Sequence, residues 1–192
     1  MTDQVTIDTQ PVAYPAIKED TERHNFTMPS ETLTCSLLRT LAASKPAGRF
    51  LELGTGTGLS AAWILDGMDR ASKLTSIDNN VDVLIIAQKH LKDNRLTLIC
   101  ADGNDWITDN SGNKYDFIFA DAWPGKYHML NETLAMLNKG GMYIIDDMLP
   151  QPNWPAGHQE LVNQLIVDLE ECEDLIITKQ NWASGIVICV KK

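Results

Sequence analysis

Acidic residues recur at the ends of short apolar runs in this chain. Glu52 lies within Arg49–Leu53, Asp78 follows Lys73–Ile77, Asp102 follows Leu96–Cys100, Asp121 follows Tyr115–Ala120, and the pair Asp146-Asp147 follows Gly141–Ile145. A carboxylate can accept hydrogen bonds from hydroxyls and amines, hold a hard cation or remove a proton. A single acid after a strand is ordinarily a turn former or a helix cap. Five such runs in succession suggest a common rim instead. The segment Glu52-Leu53-Gly54-Thr55-Gly56-Thr57-Gly58 adds a glycine-rich turn, in which backbone can approach a ligand closely. A dinucleotide fingerprint requires Gly or Ala where Leu59 stands, and no Lys-Ser/Thr follows to make a phosphate-cradling loop. These features leave a nucleoside ligand without a pyrophosphate. Asp78 can accept its ribose hydroxyls, and Asp102 can accept from an exocyclic amine such as that of adenine.

These residues need a scaffold that brings strand ends together. The runs named above are short and continuously apolar, and they alternate with helical stretches at Leu59–Leu65, Val81–Leu91, Tyr127–Leu137 and Gln159–Glu170. Such alternation marks a parallel sheet covered on both faces, with ligands beyond the carboxyl ends of the strands. Two further strands, Leu175–Thr178 and Gly185–Val190, are separated by a segment too short for a parallel crossover, so the last strand must run antiparallel. The expected fold is α/β, a Rossmann-like doubly wound, mostly parallel seven-stranded sheet with a terminal antiparallel hairpin strand. Residues 1–30, with Pro11, Pro15 and Pro29, read as an N-terminal arm holding one short helix near Ala16–Arg23. Residues 31–192 read as the single main domain, opening with a helix capped by Ser30 that presents Leu33, Leu37, Leu38 and Leu41 on one face.

The 192 residues carry 16 basic and 26 acidic side chains, a net charge of −10. That balance disfavours a role on bulk nucleic acid. No apolar run is long enough to span a membrane, and the N-terminus shows no signal peptide, so a cytoplasmic protein is expected. Cys35, Cys100, Cys172 and Cys189 form no CxxC and read as reduced thiols.

In order and spacing, FLELGTGTG, LTSID, CADG, YDFIFADAW and GGMYIIDD resemble the class I S-adenosylmethionine-dependent methyltransferases, and most of all the small O-methyltransferases related to catechol O-methyltransferase. The likeness runs from MPSETLTCSLL to the terminal GIVICVKK. It implies that Glu52, Gly54, Thr55, Gly56 and Gly58 face the methionine half of the cofactor. Asp78 would hold the ribose with Asn79 beside it, and Asp102 and Gly103 would border the adenine. Asp121 would sit beside the sulfonium and substrate, with Met28 and Ser30 closing over the cofactor. The implied activity is O-methylation of a small-molecule hydroxyl, with Asp121, Lys126 and Asp146 as catalytic candidates. A homodimer built on the N-terminal arm also fits the likeness.

In the metal-dependent branch of that family, an Asp after the fourth strand and an Asp-Asn after the fifth bind Mg²⁺ or a similar divalent cation. Asp121, Asp146 and Asp147 match those positions, with Asp147 in place of the Asn. The family's Asp-x-x-Lys-x-x-Tyr reads here as Asp121-Ala-Trp-Pro124-Gly-Lys126-Tyr127. Proline cannot move a proton, so Lys126 substitutes only if Pro124-Gly125 bends the loop. Three readings therefore stay open: a metal-assisted O-methyltransferase, a metal-free one, and a catalytically silent cofactor-binding or regulatory protein. A protein or RNA methyltransferase is a further alternative. Trp123, Trp154 and Trp182 are candidate walls of a flat substrate pocket, and the proline-bearing segment Leu149–His158 is a candidate lid. His128 and His158 are expected to be solvated.

Overall fold

Phe50–Leu53, Phe117–Ala120 and Tyr143–Ile145 are all buried. These runs do not alternate in polarity because each has helices against both faces. The computed structural model describes Ile7, residues 9–152 and residues 154–192; residues 1–6 and 8 of the expected arm, and Asn153 of the candidate lid, lie outside the described residues.

Helices α1 (Tyr14–Arg23) and α2 (Thr32–Ala43) precede strand β1 (Arg49–Leu53). The chain then alternates through α3 (Leu59–Gly67), β2 (Lys73–Asp78), α4 (Val81–His90), β3 (Leu96–Cys100), α5 (Gly103–Asp109), β4 (Tyr115–Ala120), α6 (Leu130–Ala135) and β5 (Leu137–Ile145). It closes with α7 (His158–Glu170), β6 (Leu175–Gln180) and β7 (Ile186–Lys191). The seven strands form one sheet in the order β3-β2-β1-β4-β5-β7-β6. Strands β1 to β5 pair in parallel, whereas β7 is antiparallel to both β5 and β6. The expected fold class, with its reversed terminal strand, is therefore the one observed.

Helices α1 to α4 contribute to one core cluster and α5 to α7 to the other, so the sheet is covered on both sides. The order reverses at β1, which lies between β2 and β4. A crevice opens at such a reversal, beyond the carboxyl ends of the two central strands. Among the described residues no helix is long and apolar enough to cross a membrane.

The structure departs locally from the sequence reading. The short helix expected near Ala16–Arg23 is α1, which starts two residues earlier and buries Tyr14, Ile17, Asp20 and Thr21, so this part of the arm is docked on its own chain. Residues Gly103–Asp109 form a helix that their periodicity did not reveal. The expected helix over Tyr127–Leu137 is shortened to Leu130–Ala135, because the residues before it make a tight turn and those after it extend β5. Ser30 is not the cap of α2: that position is Glu31, in extended backbone with no side-chain cap. Cys100 is exposed, unlike the buried Cys35 and Cys189, and all four thiols are free.

Candidate functional site

The glycine-rich turn leaves β1 at the topological reversal. The amides of Gly54 and Thr55 both donate to the carbonyl of Ile77, at 2.9 and 3.1 Å, which locks the turn to the end of β2. Gly54, Gly56 and Gly58 all have positive φ (102°, 52° and 93°), a region where a Cβ is strained, so the turn stays bare. Asp78, at the end of β2, accepts from the amide of Gly56 at 2.8 Å through Oδ2 and from the amide of Asn80 at 2.9 Å through Oδ1. Beneath the turn, the wholly buried Glu52 accepts from Ser76 through Oε2, while its Oε1 has no partner. Burial drives its carboxyl up to about 7, against the lowering effect of the Ser60 and Ser76 hydroxyls.

A cavity of about 720 Å³ runs from this turn to the ends of β4 and β5. Of the expected residues, Met28, Gly54, Thr55, Gly56, Asp78, Asn79, Gly103, Asp121, Lys126, Asp146 and Asp147 line it. Three do not. Glu52 lies below the turn, and Gly58 backs onto Ala87 of α4. Asp102 is exposed and uses Oδ1 to cap α5 through the amides of Asn104 and Asp105.

At the far end of the cavity the chain bends sharply. Gly125 takes φ +81°, its amide donates to the carbonyl of His128 at 2.7 Å, and the buried hydroxyl of Tyr143 donates to its carbonyl. This turn carries Lys126 inward to 4% exposure, where Nζ donates to the main-chain carbonyl of Asp146 at 2.6 Å. Pro124-Gly125 thus supplies the bend that the sequence required if Lys126 was to reach the acids. Asp121 accepts from Ser30 Oγ at 2.9 Å. Asp146 accepts through Oδ1 from Ser184 Oγ, from Thr34 Oγ1 at 3.4 Å and from the amide of Asp147 at 2.9 Å. Burial, then the neighbouring charges of Asp146 and Asp147, hold the Asp121 carboxyl well above its ordinary range. Burial likewise raises Asp146 to about 6 and pulls the Lys126 ammonium down, which the three carboxylates oppose.

The donor set offers a poor seat for a divalent cation. Among the described residues no group of three or more His, Cys, Asp or Glu side chains is arranged to hold a metal ion. Asp121 and Asp146 spend oxygens on hydroxyl donors, and the Lys126 ammonium donates to the main-chain carbonyl of Asp146. Asp121, Asp146 and Asp147 do line one cavity, as expected, and Lys126 lines it with them.

Aromatic rings close the outer side. Tyr127 OH and His158 Nε2 lie 3.1 Å apart, and His158 packs on Trp154 at 4.4 Å between ring centroids. Trp123 stands edge-on to Tyr127 at 5.6 Å. Trp123 and Trp154 therefore line the cavity as expected, whereas Trp182 sits elsewhere and donates to the carbonyl of Leu33. His128 is exposed as expected, but His158 is buried, because its ring forms part of this wall. Sequence reasoning missed Phe26, Thr34, Tyr127 and Ser184. Phe26 and Ser184 lie in no motif, whereas Tyr127 ends the Asp121–Tyr127 segment and Thr34 lies in MPSETLTCSLL, which were the only signals for them.

A methyltransferase-domain family model matches residues 51–148, which hold the glycine turn, Asp78, Asp121 and Asp146-Asp147. The chain belongs to this methyltransferase-domain family. A Mycolicibacterium vanbaalenii protein provisionally named an O-methyltransferase is 31% identical over 116 residues, covering 57% of this chain and 51% of that protein. A similarly named Mycobacterium leprae protein is 35% identical over 94 residues, covering 46% and 41%. The chain spans about half the length of the curated relatives it matches. Among solved structures, an O-methyltransferase from Bacillus cereus in complex with SAH superposes with a TM-score of 0.85 at 14% identity, covering 97% of this chain and 94% of that one. An O-methyltransferase from Streptomyces achromogenes involved in tomaymycin synthesis, solved with SAM, gives 0.82 at 16% identity, covering 96% and 91%. At these identities the likeness is one of fold.

Proposed function

We propose that the chain transfers a methyl group from S-adenosylmethionine to the hydroxyl oxygen of a small, planar acceptor. The observation that carries this reading is the Asp78–Gly56 contact, which sets a ribose-binding carboxylate beside a bare glycine turn at one end of the cavity that ends on Asp121 and Lys126. The names of the relatives and of the structural neighbours support it. When bound, the cofactor supplies an already activated methyl sulfonium, so the protein's tasks are alignment, exclusion of water and removal of the acceptor's proton.

Each task has residues. The bare backbone at Gly54–Gly56 leaves room for the methionine half, Asp78 and Asn79 suit the ribose, and Ala101 and Gly103 border the nucleobase end. Phe26 and Met28 cover the cavity from the segment that follows α1. Trp123, Tyr127, Trp154 and His158 give the outer side of the cavity an aromatic lining suited to a planar acceptor. The Asp121 carboxyl, raised by burial, suits it to take the acceptor's proton as the new C–O bond forms and the C–S bond breaks. Lys126 adds a positive charge beside the developing oxyanion. A lysine at the acids also weakens the silent-binder alternative, which rested on Pro124. The four free thiols suit a cytoplasmic setting.

Calorimetry tests the reading. S-adenosylhomocysteine is expected to bind the wild type, and Asp78→Ala to weaken binding at least about tenfold. Absence of binding to the wild type would end this assignment.

A further inference from the structure

We propose that Tyr127 is a specificity-determining residue of this site: its phenol O–H donates to an oxygen of the acceptor other than the one that receives the methyl group, and His158 is the positioning residue that leaves it free to do so. The inference deepens the methyl-transfer reading and rests on it for the identity of the reaction.

Both side chains line the cavity. Tyr127 OH and His158 Nε2 lie 3.1 Å apart, and among the described residues the hydroxyl has no other hydrogen-bond partner. His158 is the first residue of α7 and is 7% exposed. Its ring packs on Trp154 at 4.4 Å between centroids and stands edge-on to Tyr127 at 5.2 Å. The other ring nitrogen, Nδ1, is buried with no partner among the described residues.

A hydrogen bond between a phenol and a neutral imidazole has two possible directions, and Nδ1 selects one. Were Tyr127 the donor, Nδ1 would carry the ring proton, and a buried N–H would go without an acceptor. With the proton on Nε2, His158 donates to the Tyr127 oxygen and Nδ1 keeps only a lone pair. An orphaned buried N–H is the rarer of the two. Burial, then the charge of Lys126, pulls the imidazolium down against the opposing effect of Asp147, so the ring is neutral. Burial, then the charge of Asp147, holds the Tyr127 phenol well above its ordinary range, so it keeps its proton. The hydroxyl thus receives from His158 and has its own hydrogen left for a partner in the cavity. The Lys126 ammonium stands 5.1 Å from the centre of the Tyr127 ring, so one substituted ring is long enough to meet both residues. An acceptor without the second oxygen leaves the phenol donor unpaired, and that loss is the source of selectivity.

The test uses the wild type saturated with S-adenosylhomocysteine. Calorimetry compares the ortho, meta and para isomers of hydroxyacetophenone with the matching isopropenylphenols, in which a methylene replaces the carbonyl oxygen. At least one ketone is expected to bind at least about tenfold more tightly than its counterpart, and Tyr127→Phe to bring the two within about twofold. A wild type that prefers no ketone would overturn the proposal, as would a preference that Tyr127→Phe leaves intact. Proton–nitrogen NMR correlation of the imidazoles, with the His158 signal identified by its loss in His158→Phe, is expected to show the proton on Nε2. A proton on Nδ1 would overturn the proposal as well. Should Tyr127→Phe not fold, the wild-type preference and the His158 tautomer decide by the same criteria. Failure of the wild type to bind S-adenosylhomocysteine would count against methyl transfer, whereas the tautomer is read without any ligand.

Discussion

Ser30 Oγ donates to Asp121 Oδ2 at 2.9 Å, joining two residues 91 positions apart. Sequence reading placed Ser30 both as a helix cap and, through the family likeness, over the cofactor; the structure denies the cap and gives its hydroxyl to Asp121. Ser30→Ala is expected to cost about 1 kcal/mol, the worth of one hydrogen bond to a buried partner, without loss of helix content. Urea unfolding followed by circular dichroism measures both quantities; a drop in helicity would restore the capping role.

Gly125→Ala is expected to be far more damaging. The left-handed φ alone costs about 1 kcal/mol or more for a residue with a Cβ, and the added methyl has no room against Leu53. A lower melting temperature and loss of methyl transfer should appear together, because the turn that strains is the one that carries Lys126. An alanine variant as stable and active as the wild type would show that the turn does not position the lysine.

Stability should fall as pH rises across the weakly acidic range. Glu52 has an ordinary value of 4.5 and is raised to about 7 in the folded chain, chiefly by burial. Between those values the folded chain keeps a proton that the unfolded chain has released, so folding is favoured at the acid end of the window and loses ground toward neutrality. The full effect is roughly 3 kcal/mol, and Asp146, raised to about 6, adds the same sign. Glu52→Gln should remove its share of the slope in denaturation curves recorded through this window, leaving the part that Asp121 and Asp146 contribute. A wild-type stability that climbs from acid to neutral would contradict the assignment.

The aromatic wall should govern the acceptor alone. Trp154→Ala removes the ring packed against His158 at 4.4 Å between centroids. It is expected to raise the acceptor KM at least about tenfold while S-adenosylhomocysteine affinity moves by less than about twofold. Equal losses in both would place Trp154 in general stability instead.

Much of the scaffold was legible because its signals are local. The strands β1, β3 and β4 lie where their continuous apolar runs predicted, and the short link before the last strand forced its antiparallel direction. The carboxylate of Asp78 was legible too, since one strand end and one glycine turn in a doubly wound sheet must meet at the reversal of strand order. Helix α5 was missed because its seven residues are too few to show a periodic face.

Residue order, then, was enough to name the sheet, the bare glycine turn and the acids at the strand ends, since each depends on neighbours close in the chain. It could not say that Lys126 turns inward, that Ser30 and Ser184 serve the acids, or that His158 is buried against Trp154. Those facts depend on which distant side chains compete for the same buried space and the same few hydrogen bonds. That competition is settled only when the β4 and β5 ends, α2 and the loop before β7 pack together.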